Sequence, residues 1–353
     1  MTPVCEKCGQ ERREGSYFCG KCGHLFVGNG TVKISYGGVT GKAKVTFGQE
    51  QAAPKKTASK KKGSTTAGTP VLDTYTLEDL EGLVDAMAAA VGQIVKRSGK
   101  THVFFGSYPQ SLKAPNVQIL SSQPNGQGYY QGSDGCLYAK VVANPFQNDY
   151  KFANGTKIQR GKVYYFKVEP IKWRILQEKD HRAFILAEQI LTCQKYADAN
   201  NDYSSSFIRK WLNADFVLQA FDEYERALIC ETYCSNDVAS TGYDTNPHVC
   251  SPTKDFVFLP SIQELMTKKY GFETGSKVDD PARRKITTDY ARAMGVGVSD
   301  RYPGTFHWWA RSPAAFSYRY ARPVESTGAL NLSRTITDRE MGVVPALRVS
   351  IGK

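Results

Sequence analysis

The sequence predicts an α+β protein, with one large mixed domain behind a short metal-binding head. Three observations carry that reading. Four of the nine cysteines fall in the first 22 residues. A stretch rich in Lys, Ser and Thr follows. From residue 101 onward, short aromatic and β-branched strands alternate with a few helical patches. The 353 residues suit two or three folding units. Hydrophobic residues make up 41% and charged residues 23%, which excludes a collagen-like, rod-like or wholly disordered chain. No run of about 18 apolar residues occurs, so no membrane span is expected. The N-terminus MTPVCEKCGQERREG lacks the apolar region of a secretory signal. Cytoplasmic residence is the expectation, with export by another route left open.

Cys5, Cys8, Cys19 and Cys22 form two CxxC pairs, each a knuckle in which Gly9, Gly20 and Gly23 free the backbone to turn amides toward sulfur. Four thiolates close the shell of a tetrahedral zinc ion and leave no open position for chemistry. Residues 1–26 are too few to bury a core, so structural zinc would supply the folding free energy. A pair of disulfides is the alternative, and it needs an oxidising compartment. The pattern is similar to the short zinc ribbons that begin many bacterial multidomain proteins. That resemblance implies an interaction module, with another protein as the partner and nucleic acid as the weaker choice.

Residues 27–48 read as a small hairpin: TVKISY (31–36) and AKVTFG (43–48) alternate apolar and polar around Gly37, Gly38 and Gly41. Residues 49–70 read as a flexible linker. Its Lys55, Lys56, Lys60, Lys61 and Lys62 suit either solvent or a phosphate backbone. Residues 71–100 hold an amphipathic helix over 76–97, with Leu77, Leu80, Leu83, Val84, Met87, Val91, Ile94 and Val95 at three- and four-residue spacing. Thr76 with Asp79 makes its capping box, and Lys96 and Arg97 suit its negative end. The apolar stripe must pack on the following domain or on a second chain.

The net charge of +12 is uneven. Residues 1–69 carry 12 Lys/Arg against 4 Asp/Glu, whereas the remainder carries 34 against 30. The basic character thus belongs mostly to the tail, and the large domain makes no electrostatic case for nucleic acid. That domain, 101–353, shows strands at HVFFGSYPQ, YYQGSDGCLYAKVVA, VYYFKVEPIKWRIL and RAFILAEQIL. Helical patches follow at 204–221, capped by Ser205 or Ser206, and at 222–233. In 254–272 a strand precedes a short helix capped by Ser261.

The last 46 residues carry the most distinctive pattern after the cysteines. Two framework blocks, Trp308-Trp309 with Arg311-Ser312-Pro313 and Gly342 to Arg348, suit a rigid buried corner and a closing strand. Arg311 and Arg348 are candidates for structural hydrogen bonds. Between the blocks lies a polar-aromatic set: Phe316, Ser317, Tyr318, Arg319, Tyr320, Arg322, Ser326, Asn331, Ser333, Arg334, Thr335, Thr337, Asp338 and Arg339. Tyr, Ser, Asn and Arg are the residues that binding paratopes use, because Tyr gives rigid contact area and Ser and Asn adapt their hydrogen bonds. Ala321, Val324, Ala329, Leu332 and Ile336 are the expected inward positions.

FGSYPQ, YYQGSDGCLYAKV, YYFKVEPIKWRIL, SSFIRKWLN, VFLPSIQEL and WWARSP…GVVPALRV occur in the order of an uncharacterised bacterial and phage domain family. That family is related to the C-type lectin fold in its formylglycine-generating-enzyme-like version. The resemblance covers about residues 101–353. It implies a C-type lectin-like fold and, through members that resemble the variable proteins of diversity-generating retroelements, a non-enzymatic ligand-binding function. In those systems an error-prone copy made at template adenines replaces a stretch near the end of the gene. Here that stretch would be 316–339, facing a protein or other macromolecular ligand. Adenine substitution in AAC or AAT codons cannot yield Lys, Glu, Gln, Met or Trp. Within 315–342 only Glu325, Glu340 and Met341 fall in that excluded set.

An enzyme reading finds less support in the residues. Cys136, Cys193, Cys230, Cys234 and Cys250 read as small buried hydrophobes. Cys230 and Cys234, spaced i, i+4, would share a helix face and offer the pair an oxidoreductase of this fold would need. His24, His102, His181, His248 and His307 show no metal spacing. Phosphate loops, nucleophile elbows and calcium-dependent sugar-binding strings are absent. The two alternatives to ligand binding are therefore a nucleic-acid-associated ribbon protein and an oxidoreductase.

Overall fold

The computed structural model describes residues 94–351, together with the backbone of 30–36 and 39–45. In the N-terminal unit, β1 (Gly30–Tyr36) and β2 (Val39–Val45) pair antiparallel from Gly30↔Val45 to Tyr36↔Val39. The second strand thus starts at Val39 rather than Ala43. The zinc ribbon, the linker and the helix as far as residue 93 lie outside the described residues.

The end of the expected helix is corrected. Lys96 and Arg97 do not close a helix but belong to β3 (Lys96–Ser98), which pairs with the start of β4 (His102–Leu112). Gly99, at φ 69°, turns the chain between them, a conformation that glycine adopts without a Cβ penalty. Arg97 pairs with Glu178 instead of capping carbonyls.

The next strands are β5 (Tyr129–Gln131), β6 (Leu137–Val142), the 17-residue β7 (Val163–Lys179), β8 (Arg182–Ala187), β9 (Gln189–Ile190) and β10 (Thr192–Cys193). Helical structure follows in short pieces: α1 (Phe207–Trp211), a π-helical turn (Leu212–Phe216), α2 (Val217–Ala220) and α3 (Glu223–Leu228). Ser206 caps α1 by accepting from the Arg209 amide, and Asp222 with Glu225 forms a capping box on α3. The helix expected to reach residue 233 stops at Leu228. β-Branched Ile229 and Thr232 enter β11 (Ile229–Cys230) and β12 (Thr232–Cys234), so Cys230 and Cys234 sit on two strands and not on one helix face.

The remaining elements are β13 (Thr253–Asp255), β14 (Val257–Phe258), α4 (Ile262–Leu265), β15 (Ile286–Thr287), α5 (Asp289–Met294), β16 (Trp308–Pro313), β17 (Tyr320–Val324), β18 (Arg334–Thr335), β19 (Gly342–Val343) and β20 (Ala346–Ser350). Ser261 caps α4 as expected, in a capping box with Glu264.

The architecture is α+β and mostly sheet. A nine-stranded antiparallel sheet runs β11-β20-β8-β7-β4-β3, with β14 on β20 and the β5–β6 hairpin on the first half of β7. A five-stranded sheet runs β10-β19-β16-β17-β18. The core lies between and around them. Trp173, Trp308 and Trp309 are wholly buried, and their indole N–H groups donate to the carbonyls of Phe105, Arg283 and Gln194 at 2.7, 3.1 and 2.9 Å. Buried indoles need such acceptors, and those of Trp308 and Trp309 fix the start of β16, from which the β16–β17 hairpin projects. No described helix is long and apolar enough to cross a membrane.

Candidate functional site

β16 and β17 form a hairpin whose closing pair is Pro313↔Ala321. Its tip, Ala314 to Tyr320, carries five of the residues singled out from sequence. Phe316, Tyr318 and Arg319 are exposed, and Ser317 and Tyr320 are half-buried. The rings of Phe316 and Tyr320 lie 5.1 Å apart, and the Arg319 guanidinium sits 5.6 Å from the Tyr318 ring centre. These side chains support one another while turning their outer faces to solvent.

The backbone beneath them is tied down. Asn201, 2% exposed, donates its side-chain amide to the carbonyls of Ala314, Ser317 and Tyr320 at 3.3, 3.1 and 2.7 Å. Asn246 donates to Pro313 O at 3.0 Å, and the Tyr196 hydroxyl donates to Arg311 O at 2.6 Å. The Ser312 hydroxyl donates to Ser240 O and accepts from the Ile262 amide. Buried amides and hydroxyls placed on loop carbonyls fix a loop that has little regular structure of its own.

β18 lies against β17 through Tyr320↔Thr335 and Ala321↔Arg334, so Thr335, Thr337, Asp338 and Arg339 border the tip. The Thr335 hydroxyl donates to Asp338 at 2.6 Å, and the Ile336 amide donates to Arg319 O. Asn331 and Ser333 lie on the coil leading into β18. Ser326 is elsewhere, beyond the Trp308↔Val324 end of the hairpin, where its amide donates to His307 Nδ1 at 3.3 Å.

Arg322 is a correction. It is 2% exposed and cannot contact a ligand. Its guanidinium donates to the carbonyls of Thr241 and Leu330 and lies 4.4 Å from the Tyr243 ring centre. β17 is covered on both faces, so its outward-looking arginine became an internal strut.

Beside the tip opens a depression of about 680 Å³, lined by Asn200, Asp202, Ser204, His248, Cys250 and Tyr318 among others. Of these only Tyr318 belonged to the sequence-derived set. Burial raises the Asp202 carboxyl, but hydrogen bonds from Ser204 and Cys250 outweigh it and hold the group below its ordinary range. Burial pushes the Cys250 thiol up to about 11, and its hydrogen bond to Asp202 adds to this. The site therefore holds a carboxylate and a protonated thiol at neutral pH. Burial raises Cys193 and Cys234 to about 12 as well. Such thiols are poor nucleophiles.

Residues 180–351 match a family model described as a domain of unknown function (DUF6273). The stretch is similar to that family. It begins just before β8 and takes in the tip, the depression and the closing strand, while β3 to β7 lie outside it. No curated protein and no solved structure matches the chain.

Cys5, Cys8, Cys19 and Cys22, the expected zinc ligands, lie outside the described residues. Among the described residues no group of three or more His, Cys, Asp or Glu is arranged to hold a metal ion.

His307 connects this region to pH. Burial, with Arg334 nearby, lowers its pKa from 6.5 to about 4. The neutral ring accepts the Ser326 amide at Nδ1, which a protonated ring cannot do. Because the folded pKa lies below the unfolded one, the stabilisation is complete above about pH 6.5 and is lost as pH falls toward 4. Up to about 3 kcal/mol should disappear over that window. Urea melts at pH 7 and pH 4.5 should show this loss, and His307→Gln should flatten it.

Proposed function

We propose that residues 101–353 form a non-enzymatic recognition domain of C-type lectin-like fold. In this reading the β16–β17 tip and the adjoining β18 edge bind a protein or other macromolecule, as in the variable proteins of diversity-generating retroelements. The observation that carries it is the pairing of bare aromatic side chains with a fastened backbone. Phe316 and Tyr318 are 69% and 47% exposed, while Asn201 holds the carbonyls around them. Large exposed rings on a pre-ordered loop lose little entropy on binding and make effective anchors. The four-cysteine zinc ribbon and the Lys-rich linker would join this domain to a second protein.

The test is to sequence the end of the gene and its flanks in several isolates. Diversification predicts a downstream near-repeat and replacements at Phe316, Ser317, Tyr318, Arg319, Asn331, Thr337 and Arg339. It predicts none at Ala321, Arg322, Val324, Gly328, Leu330 or Ile336, whose burial forbids free exchange. An invariant gene without a repeat, or replacements scattered equally over both groups, rejects the reading. As a physical check, the Phe316→Ala/Tyr318→Ala protein should unfold within about 0.5 kcal/mol of the parent. A loss of several kcal/mol in its urea melt would make the two rings structural.

A further inference from the structure

The depression beside the tip holds a charge that the fold leaves unanswered. Among the described residues, Asp202 is the one carboxylate lining it, and neither Lys nor Arg lines it. Asp202 is half-buried. Every bond its carboxylate accepts comes from an uncharged group: the Ser204 amide and hydroxyl at 2.7 and 2.6 Å, the Ser205 hydroxyl and the Cys250 thiol. No basic nitrogen of the described residues lies within 4.0 Å of it. We propose that the depression takes an arginine or lysine side chain of a protein ligand, an inference that rests on the tip being the recognition surface.

The bases around the depression are placed outside it. Lys195 pairs with Asp198 at 2.5 Å. Arg209 pairs with Asp255 at 2.7 Å and donates to Ser204 O from behind the chain's own backbone. Lys210 lines a separate hollow of about 280 Å³, which Asp198 also lines. Arg319 is exposed at the tip, where its Nε donates to the Tyr318 hydroxyl at 3.3 Å. The other titratable groups lining the depression are His248, Cys250 and Tyr318.

A half-buried carboxylate with only neutral partners gains most from a charged donor. Tyr318 and Val249, 47% and 36% exposed, add an aromatic ring and an apolar edge to the same depression. A cation on an aliphatic stem matches that combination: the stem covers apolar surface, the charge meets Asp202, and the ring adds a cation–π contact. A bare metal ion matches it less well, because one carboxylate supplies too few oxygen ligands. Tyr318 belongs to both the tip and the depression, so one ligand covers both. Asn200, Asp202, Ser204, His248 and Cys250 lie outside 316–339, so the preference for a basic side chain persists whatever the tip displays.

The test pans a phage-displayed random dodecapeptide library on the full chain and remakes the tightest peptides with fluorescein for anisotropy. Peptides that need Phe316 and Tyr318 should be enriched in Arg and Lys over the unselected library. The chain's net charge of +12 repels basic peptides, so its overall field cannot produce that enrichment. Asp202→Asn should weaken these peptides about tenfold, and so should Gln in place of their basic residue. Both changes together should cost little more than either alone, because each removes the same pair. Asparagine caps as well as aspartate, so the urea midpoint of the variant should hold. Selected peptides without basic enrichment, losses that simply add, or binding indifferent to Asp202→Asn each overturn the proposal. If those peptides still need Phe316 and Tyr318, recognition at the tip stands without it. Peptides that ignore all three residues overturn both, and an empty selection overturns the proposal alone.

Discussion

Replacing Arg311 by Met should lower the unfolding free energy by about 3–5 kcal/mol. Arg311 is 3% exposed on β16. Its Nη1 donates to Leu259 O at 2.9 Å and to Glu264 at 2.6 Å, and its Nη2 reaches Ser235 O at 3.2 Å. Burial opposes the charge, yet the Glu264 carboxylate outweighs it and holds the guanidinium well above its ordinary range. Methionine keeps much of the volume, so the loss reads the polar bonds rather than a cavity. Two carbonyls would lose a charged donor in the interior, where unmet acceptors are expensive. Glu264 would lose its cation but keep its bond to the Ser261 amide. Arg311→Lys should recover part of the loss through Glu264 alone, because an ammonium cannot also span the carbonyls of Leu259 and Ser235. Urea denaturation of the three proteins checks this, and a loss below about 1 kcal/mol for Met would mean the carbonyls find other donors.

Gly328→Ala should cost at least about 3 kcal/mol, from a single methyl group. Two penalties combine. Gly328 has φ 87°, a conformation L-residues rarely adopt, and an added Cβ would lie 2.0 Å from Asp280 O. The obstacle is backbone, so no side chain can swing aside. Nor can Asp280 retreat freely. Its carboxylate accepts the amides of Glu273 and Ala282 and pairs with Arg283 at 3.1 Å, and Arg283 is itself fully buried. The Arg283 carbonyl in turn holds the Trp308 indole. Thermal unfolding should show a drop of several degrees or more. An unchanged midpoint would show that the 325–328 turn can move as a unit.

Much of the domain was legible because the signals were local. Ser205 or Ser206, and Ser261, read as caps from their own neighbourhoods, and Ser206 and Ser261 do cap. The adjacent tryptophans beside Arg311 read as a buried corner, and all three are buried. The tip was legible because its texture is unusual wherever it folds. Arg322 was not, because alternation identifies an outward position only when a strand has an outside. On β17, Ala321, Pro323 and Val324 are buried together with Arg322. The floor of the depression was hidden for a different reason. Asn201, Asp202 and Cys250 meet Tyr318 across separations of 68 residues or more, and no local pattern encodes such a meeting.

The three bonds from Asn201 end on main-chain oxygens. Every amino acid carries that oxygen, so the fastening does not depend on which side chains the loop displays. Ser317 and Tyr320 could each be exchanged without removing a single acceptor. The loop's shape and its chemical content are thereby set by different parts of the molecule: one asparagine, more than 110 residues upstream of the tip, for the first, and the tip's own residues for the second. Evolution or design can rewrite the second while leaving the first untouched.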